Sequence, residues 1–115
     1  MKYFDIKLEE LKERERTLKN IDKYLQKIKS AASKQLPDAK IYLFGSYLTK
    51  KFSKRSDVDI AIVSSSFRNN LDERARILNK IKEFINFNLL FEIHLLTPKE
   101  FKFYKRFIKK LRRLS

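Results

Sequence analysis

The chain contains no cysteine and no tryptophan, and only one glycine, one histidine and two prolines among its 115 residues. Without cysteine it can form neither disulfides nor thiolate metal sites, and it cannot use a cysteine nucleophile. No apolar run approaches the roughly 18 residues that a membrane-spanning helix needs. The N-terminal residues MKYFD also lack the apolar segment of a signal peptide. These absences predict a cytoplasmic protein that does not use a membrane as a partner.

Acidic residues are scarce relative to basic ones. The chain has 28 Lys and Arg residues against 14 Asp and Glu, a formal net charge of +14. The excess is concentrated in residues 99–115, where eight residues are basic and one is acidic. Such a surface favours nucleotides, nucleic acid or an acidic protein partner, although a lysine-rich solvated face has the same composition. The length predicts one small domain over residues 1–115 with a single core.

The apolar pattern predicts three helices and three strands. In chain order these are a helix over 8–35, strands over 41–44 and 59–63, a helix over 71–86, a strand over 89–96 and a last helix opened by Thr97-Pro98. The second helix is expected to bury Leu71, Ala75, Leu78, Ile81 and Ile85, and the last helix Phe101, Tyr104, Ile108 and Leu111. The predicted class is α/β of the α+β type, a small mixed β-sheet with helices packed on it.

The single glycine, Gly45, lies where the first apolar strand must turn, and Ser46 follows it directly. Glycine permits backbone angles and close ligand approach that a Cβ atom would block. Ten residues separate Ser46 from Asp57, and Asp57 and Asp59 open the second strand on the same side. Two adjacent carboxylates repel each other unless a cation neutralises them, and Mg²⁺ is commonly held by one or two carboxylates plus phosphates. The pattern therefore predicts a phosphate-and-metal site.

Gly-Ser, ten intervening residues and Asp-x-Asp together resemble the signature of the minimal nucleotidyltransferases, small members of the DNA polymerase beta superfamily. The resemblance implies the nucleotidyltransferase fold and two Mg²⁺ ions held by Asp57 and Asp59. It also implies a third carboxylate on a later strand, which maps to Glu92. Gly45 and Ser46 would bind the outer phosphates of ATP or another nucleoside triphosphate.

Residues 47–50, Tyr-Leu-Thr-Lys, depart from the small-Arg-Gly run that commonly follows Gly-Ser in this family. Thr49 replaces the usual arginine and Lys50 the second glycine. The basic contact would then come from Lys50, Lys51, Lys54 or Arg55, and Lys50 and Lys51 are predicted to bind the nucleotide. For the three lysines, solvent exposure alone is an equally good interpretation.

The predicted third strand alternates apolar residues with Glu92 and His94. Because they are two residues apart, both side chains should lie on one face. A single carboxylate on such a face is also common without a metal. His94 is interpreted as an ordinary polar-face histidine in preference to a phosphate contact or a neighbour of the metal ligands.

The resemblance implies a Mg²⁺-dependent transfer of a nucleoside monophosphate, AMP from ATP, to a hydroxyl of a macromolecular acceptor. It further implies a specific setting, an antitoxin that adds AMP to a tyrosine of a helical HEPN ribonuclease toxin. Two alternatives stay open. One is a catalytically inactive module that neutralises its partner by contact, and the other is an RNA-directed nucleotidyltransferase. Against RNA, the aromatic residues of the basic tail are expected on a buried stripe instead of an exposed stacking row.

Overall fold

The structure is a computed structural model that describes residues 3–115, the side chain of Phe4 excepted. Expectations about residues 1 and 2, at the start of the predicted domain and of the N-terminal segment, lie outside the described residues. The elements are α1 (Tyr3–Lys19), α2 (Ile21–Gln35), β1 (Lys40–Phe44), a short 3-10 turn (Ser46–Leu48), β2 (Val58–Val63), α3 (Leu71–Glu83), β3 (Phe91–Leu96), α4 (Pro98–Tyr104) and β4 (Leu111–Arg113). Among these helices, none has the length and apolar composition needed to cross a membrane.

The four strands form one mixed sheet in the order β3-β2-β1-β4, which confirms the predicted fold class. β1 runs antiparallel to both of its neighbours, and β2 runs parallel to β3. A parallel pair needs a crossover connection, and α3 supplies it. The register sets Asp59 opposite Phe44 on one side and opposite Glu92 on the other. The end of β1 and the starts of β2 and β3 therefore meet at one end of the sheet.

Both faces of the sheet carry apolar residues. One face packs against α2 and α3 in a large core that includes Ile28, Ile41, Ile60, Ile81 and Ile93. The other face forms a smaller cluster of Ala61, Val63, Leu96 and Phe101, with Tyr42 and Phe44 beside it. Because side chains alternate along a strand, the residues on this second face that precede Ala61 and Leu96 are Asp59, Glu92 and His94. The second face is thus apolar at one end and polar at the other.

The prediction of one continuous helix over 8–35 is wrong, because the chain leaves helical geometry at Asn20. This residue has φ −117° and ψ 27°. Its side-chain amide donates a hydrogen bond to the carbonyl of Arg16 at 3.0 Å. Asparagine competes in this way for backbone partners and so favours helix ends. Of the two helices, α2 contributes most to the core through Leu25, Ile28, Ala31 and Ala32.

The buried face of α3 differs from the predicted stripe at the start of the helix. Asn70 caps it as expected, its side chain accepting from the Glu73 backbone N–H at 2.8 Å. Leu71 is 85% exposed and Ala75 is also exposed, whereas Ile77 and Ile81 are buried. The first turn therefore lies outside the packed interface. The helix ends at Glu83, and β3 begins two residues later than predicted.

The prediction of a last helix with a long buried stripe is right only at its start. Thr97 and Glu100 form a reciprocal capping box with proline in the first turn, as the Thr-Pro pair predicted. The helix then ends at Tyr104, and β4 pairs with the otherwise open edge of β1. Of the expected stripe, Phe101 is buried while Tyr104 and Leu111 are exposed. An unpaired strand edge offers backbone hydrogen bonds that a helical tail could not use.

Candidate active site

Two of the predicted carboxylates lie side by side because β2 and β3 are parallel and in register. Asp59 and Glu92 are directly paired positions near the starts of their strands. The Asp59 side chain is about one-quarter exposed and that of Glu92 about half exposed, at 23% and 56%. The strands therefore present two adjacent acids, accessible to solvent, on the same face of the sheet.

Gly45 connects the end of β1 to this pair. Its φ of 83° lies in the region that L side chains rarely adopt. A Cβ atom at this position would also collide with the carboxylate oxygen Oδ2 of Asp59. Glycine is thus required at position 45 for two reasons, the positive φ angle and the close approach of the turn to Asp59.

Ser46 begins the short 3-10 turn that follows Gly45. The hydroxyl and backbone N–H of Thr49 both donate to the Ser46 carbonyl, each at 2.9 Å, and so close this turn. Thr49, which stands where the family commonly has arginine, therefore has a local structural role. These two bonds fix Ser46 at the start of the turn, directly after the glycine that approaches Asp59.

His94 lies on the same face as the two acids. Its Nε2 atom is 3.7 Å from Asp59 Oδ1 and 3.8 Å from Glu92 Oε1. One donor atom from each of Asp59, Glu92 and His94 lies within 4.8 Å of the other two. This arrangement of two carboxylates and an imidazole fits a divalent cation. His94 had been interpreted from the sequence as an ordinary polar-face residue, and only the register of β2 and β3 reveals its position.

Asp57 lies beside this group but is not one of its three members. Its Oδ1 atom accepts a hydrogen bond from Arg14 Nη2 at 3.2 Å. Arg14 also donates from Nε to the carbonyl of Lys54 at 3.0 Å and from Nη2 to the carbonyl of Ser56. A side chain of α1 therefore holds both the segment before β2 and the first of the two aspartates. The sequence carries no local signal for this contact across more than 40 residues.

A cavity of about 410 Å³ opens next to the Gly-Ser turn. Its walls come from the turn and from the segment between α4 and β4, and they include Gly45, Ser46, Thr49, Lys51, Tyr104, Phe107, Lys109 and Lys110. Of the two lysines predicted to bind nucleotide, Lys51 lines this cavity and Lys50 is exposed outside it. The tail lysines were missed because the tail was predicted to be helical.

α4, which carries Tyr104 into this cavity wall, is anchored by Arg74. This arginine donates to the Leu95 carbonyl at 2.7 Å and to Glu100 Oε1 at 2.8 Å. Burial disfavours the charged form of Glu100, but the Thr97 backbone N–H and the Arg74 guanidinium outweigh it and lower the pKa of this carboxyl. The ionised Glu100 carboxylate thus forms an ion pair with Arg74 that anchors the helix.

The mixed sheet, the Gly-Ser turn and the paired acids define a nucleotidyltransferase of the DNA polymerase beta-like superfamily. Residues 21–115 match the family described as Nucleotidyltransferase domain, and the chain belongs to this family. The match begins at the first residue of α2, so α1 lies outside it.

The solved structures similar to this chain include two nucleotidyltransferase structures. A crystal structure of a provisionally assigned nucleotidyltransferase is 42% identical, with a TM-score of 0.67, over 78% of this chain and 96% of its own. A second, from Sulfolobus solfataricus, is 23% identical, with a TM-score of 0.55, over 90% of this chain and 84% of its own. The second similarity supports the fold alone. No curated protein matches this chain in sequence.

Proposed function

We propose that this protein is a cytoplasmic, divalent-metal-dependent nucleotidyltransferase that transfers AMP from ATP to a hydroxyl of a macromolecular acceptor. The acceptor oxygen would form a bond to the α-phosphorus as the bond between the α- and β-phosphates breaks, and pyrophosphate would leave. The observation that carries the proposal is the convergence of Asp59 and Glu92 beside Gly45, where no larger residue fits. A glycine turn in close contact with Asp59 would bring a phosphate-binding backbone next to a metal-binding carboxylate. The two halves of a phosphoryl-transfer site would then lie at one end of the sheet.

Metal binding is assigned to the acids. Asp59 and Glu92 would hold Mg²⁺, and Asp57 would join them in holding a second ion. Bound there, the metal would neutralise phosphate charge and make the acceptor hydroxyl more acidic. Glu92, the more exposed of the facing pair, would accept the proton that the acceptor hydroxyl loses.

Phosphate binding is assigned to the turn and to the lysines around the cavity. Gly45 and Ser46 would contact the outer phosphates through the backbone and the Ser46 hydroxyl. Lys51, Lys109 and Lys110 line the same cavity, so their ammonium groups would balance the charge of a triphosphate. Lys50, outside the cavity wall, would act only through the wider positive field. Most of the rate would come from positioning and from stabilising charge in the transition state.

The acceptor is proposed to be a protein. The family resemblance suggests a helical HEPN-type toxin that is inactivated by AMP on a tyrosine, which would make this chain a protein adenylyltransferase and an antitoxin. The positively charged tail would favour an acidic surface on such a partner. The alternative to this enzymatic antitoxin is a catalytically inactive protein that neutralises its partner by contact alone.

RNA is the second candidate acceptor, and the corrected conformation of the tail favours it more than the sequence did. Phe103 and Phe107 are 57% and 73% exposed, and their ring centroids are 5.4 Å apart. The objection that the tail aromatics are buried is therefore wrong for these two residues. Exposed aromatic rings among lysines and arginines are typical of surfaces that stack nucleic-acid bases. A steep fall of RNA affinity with rising salt concentration would support this candidate.

The test supplies Mg²⁺ and α-phosphate-labelled ATP in host extract to the wild-type protein and to the Asp57→Asn and Asp59→Asn variants. Asp72→Asn, at the exposed first turn of α3, is the matched control. We expect label on a protein band with the wild type and the control, and roughly a 100-fold loss or more in either site variant. The melting temperature of Asp59→Asn should be unchanged or higher, because the substitution removes one of two repelling charges. That of Asp57→Asn should fall slightly, because Arg14 loses its ion-pair partner.

Each of the other outcomes would assign a different role to the aspartates or a different function to this protein. Collapse of folding in either site variant would show that the aspartates are structural. Label in the RNA fraction would select the RNA-directed enzyme. Absence of label from both fractions would select the module that works by contact.

A further inference from the structure

The position of His94 follows from the alternation of β3 and its register with β2. Glu92 and His94 project from the same face, and the residue paired with His94 on β2 is Ala61. Alanine offers no bulk beyond its methyl group, so the imidazole has room above the sheet next to Asp59. No other histidine exists in the chain.

The imidazole nitrogen is directed at both acids. Nε2 lies 3.7 Å from Asp59 Oδ1 and 3.8 Å from Glu92 Oε1. Two ligands that each lie about 2.1 Å from one metal are roughly 3 to 3.6 Å apart, depending on the coordination geometry. Small side-chain rotations would therefore bring all three atoms to one ion.

Two aromatic rings enclose the histidine. The ring centroids of Phe44 and Tyr104 are 5.5 Å and 6.2 Å from that of His94, and its side chain is 24% exposed. A histidine with only a surface role would be free to turn into solvent. Here the enclosure limits its rotamers, so less conformational entropy is lost when it binds a ligand.

We propose that His94 is a nitrogen ligand of the metal, and that the site therefore prefers Mn²⁺ or a similar first-row transition ion to Mg²⁺. Imidazole is a better ligand for first-row transition ions than for Mg²⁺, which strongly favours oxygen, and Mn²⁺ is the ion of that series that carboxylates also suit. The inference rests on the proposed function in one respect, the assignment of Asp59 and Glu92 as metal ligands. To that assignment the inference adds His94 as a third ligand and a preference of the site for one class of metal ion.

The direct test is pulsed electron paramagnetic resonance of Mn²⁺ bound to the tag-free protein. Because His94 is the only histidine, an imidazole nitrogen coupling to Mn²⁺ must come from it. We expect a ¹⁴N modulation that changes to a ¹⁵N pattern when the protein carries ¹⁵N-labelled histidine. A wild-type spectrum of bound Mn²⁺ without imidazole coupling would overturn the proposal and leave His94 as a neighbour of the acids.

Metal affinities of His94→Ala and His94→Gln test the selectivity. We expect Mn²⁺ binding to weaken by about tenfold or more in both variants, and Mg²⁺ binding to change less than about threefold. Equal losses for the two metals would contradict the proposal, and circular dichroism would show whether the variants fold.

Asp59→Asn separates this proposal from the proposed function. If Asp59→Asn loses both metals while His94→Ala loses neither, only the role of His94 fails. If Asp59→Asn binds both metals as the wild type does, the acid site itself fails.

Discussion

At the scale of single residues, some members of the candidate site could be predicted from the sequence and others could not. Gly45 and Asp59 could be predicted because each has a local signal, a lone glycine after a strand and a carboxylate at the start of another. Glu92 needed the family resemblance as well. His94 and Arg14 could not be assigned, because their contacts depend on strand register and on a helix distant in sequence.

Replacing Gly45 with alanine tests the close approach of the turn. Gly45→Ala would introduce a Cβ atom into the space of Asp59 Oδ2, at a backbone φ of 83° that alanine disfavours. We expect a loss of roughly 1 to 3 kcal/mol in the free energy of unfolding, with weaker metal and ATP binding. Chemical denaturation and calorimetric titration measure the two effects.

Ser33→Ala, on the exposed side of α2, is the control for this substitution and should change neither quantity. Wild-type metal binding in Gly45→Ala would mean that Asp59 moves freely and that the turn does not position it.

Asp38 gives the molecule a predictable response to acid. It accepts hydrogen bonds from the Ser64 hydroxyl at 2.5 Å and the Ser65 backbone N–H at 2.9 Å, and the Ser64 bond is the main reason that its pKa lies well below the ordinary value. The carboxylate therefore stabilises the fold fully above the unfolded pKa near 4, and this stabilisation is lost as pH falls towards the depressed native pKa.

Asp38→Asn should lower the free energy of unfolding at neutral pH and flatten its decline between about pH 4 and pH 2. Ser64→Ala removes the main donor and should change both in the same direction. Denaturation curves across this pH range provide the measurement. Parallel pH profiles for Asp38→Asn and the wild type would show that the Asp38 hydrogen bonds do not contribute.

At the scale of elements, the errors of prediction came where tertiary contacts decide the conformation. The three core strands and α3 were found because their apolar patterns are strong. The tail was predicted to be helical, yet residues 111–113 pair with β1, whose edge is open unless β4 covers it. The apolar periodicity of the tail does not indicate that β1 is available to pair with it.

α1 makes a specific contact with the candidate active-site end of the sheet through Arg14, whose side chain is 17% exposed. Arg14→Lys keeps the charge but replaces the two donor nitrogens of the planar guanidinium, Nε and Nη2, with a single ammonium nitrogen that cannot match their positions. We expect a loss of about 1.5 to 3 kcal/mol in the free energy of unfolding and faster amide exchange in residues 53–57.

Arg16→Lys is the matched control, since Arg16 is exposed and pairs with Glu13 on the same helix. It should stay within about 0.5 kcal/mol of the wild type. If the two substitutions have the same small effect, α1 does not hold this segment.

At the scale of the whole molecule, positive charge is found at the same end of the sheet as the cavity beside the Gly-Ser turn. The chain has a formal charge of +14, and tail lysines line the cavity beside the Gly-Ser turn. The mixed sheet was predictable from the order of strands and helices. Three features could not be predicted from the sequence, because each depends on long-range packing. They are the order of strands within the sheet, the cavity and the addition of α1 to the family domain.

The transfer of label from ATP tests the central claim most directly. Wild-type protein is given Mg²⁺ or Mn²⁺ in host extract with ATP labelled at either the α- or the γ-phosphate. We predict that the wild type raises attachment of the α-label, and not of the γ-label, above the level of extract alone, and that Asp59→Asn abolishes this increase. An increase in γ-label attachment, or an increase in α-label attachment that persists in Asp59→Asn, would contradict nucleotidyl transfer at this site.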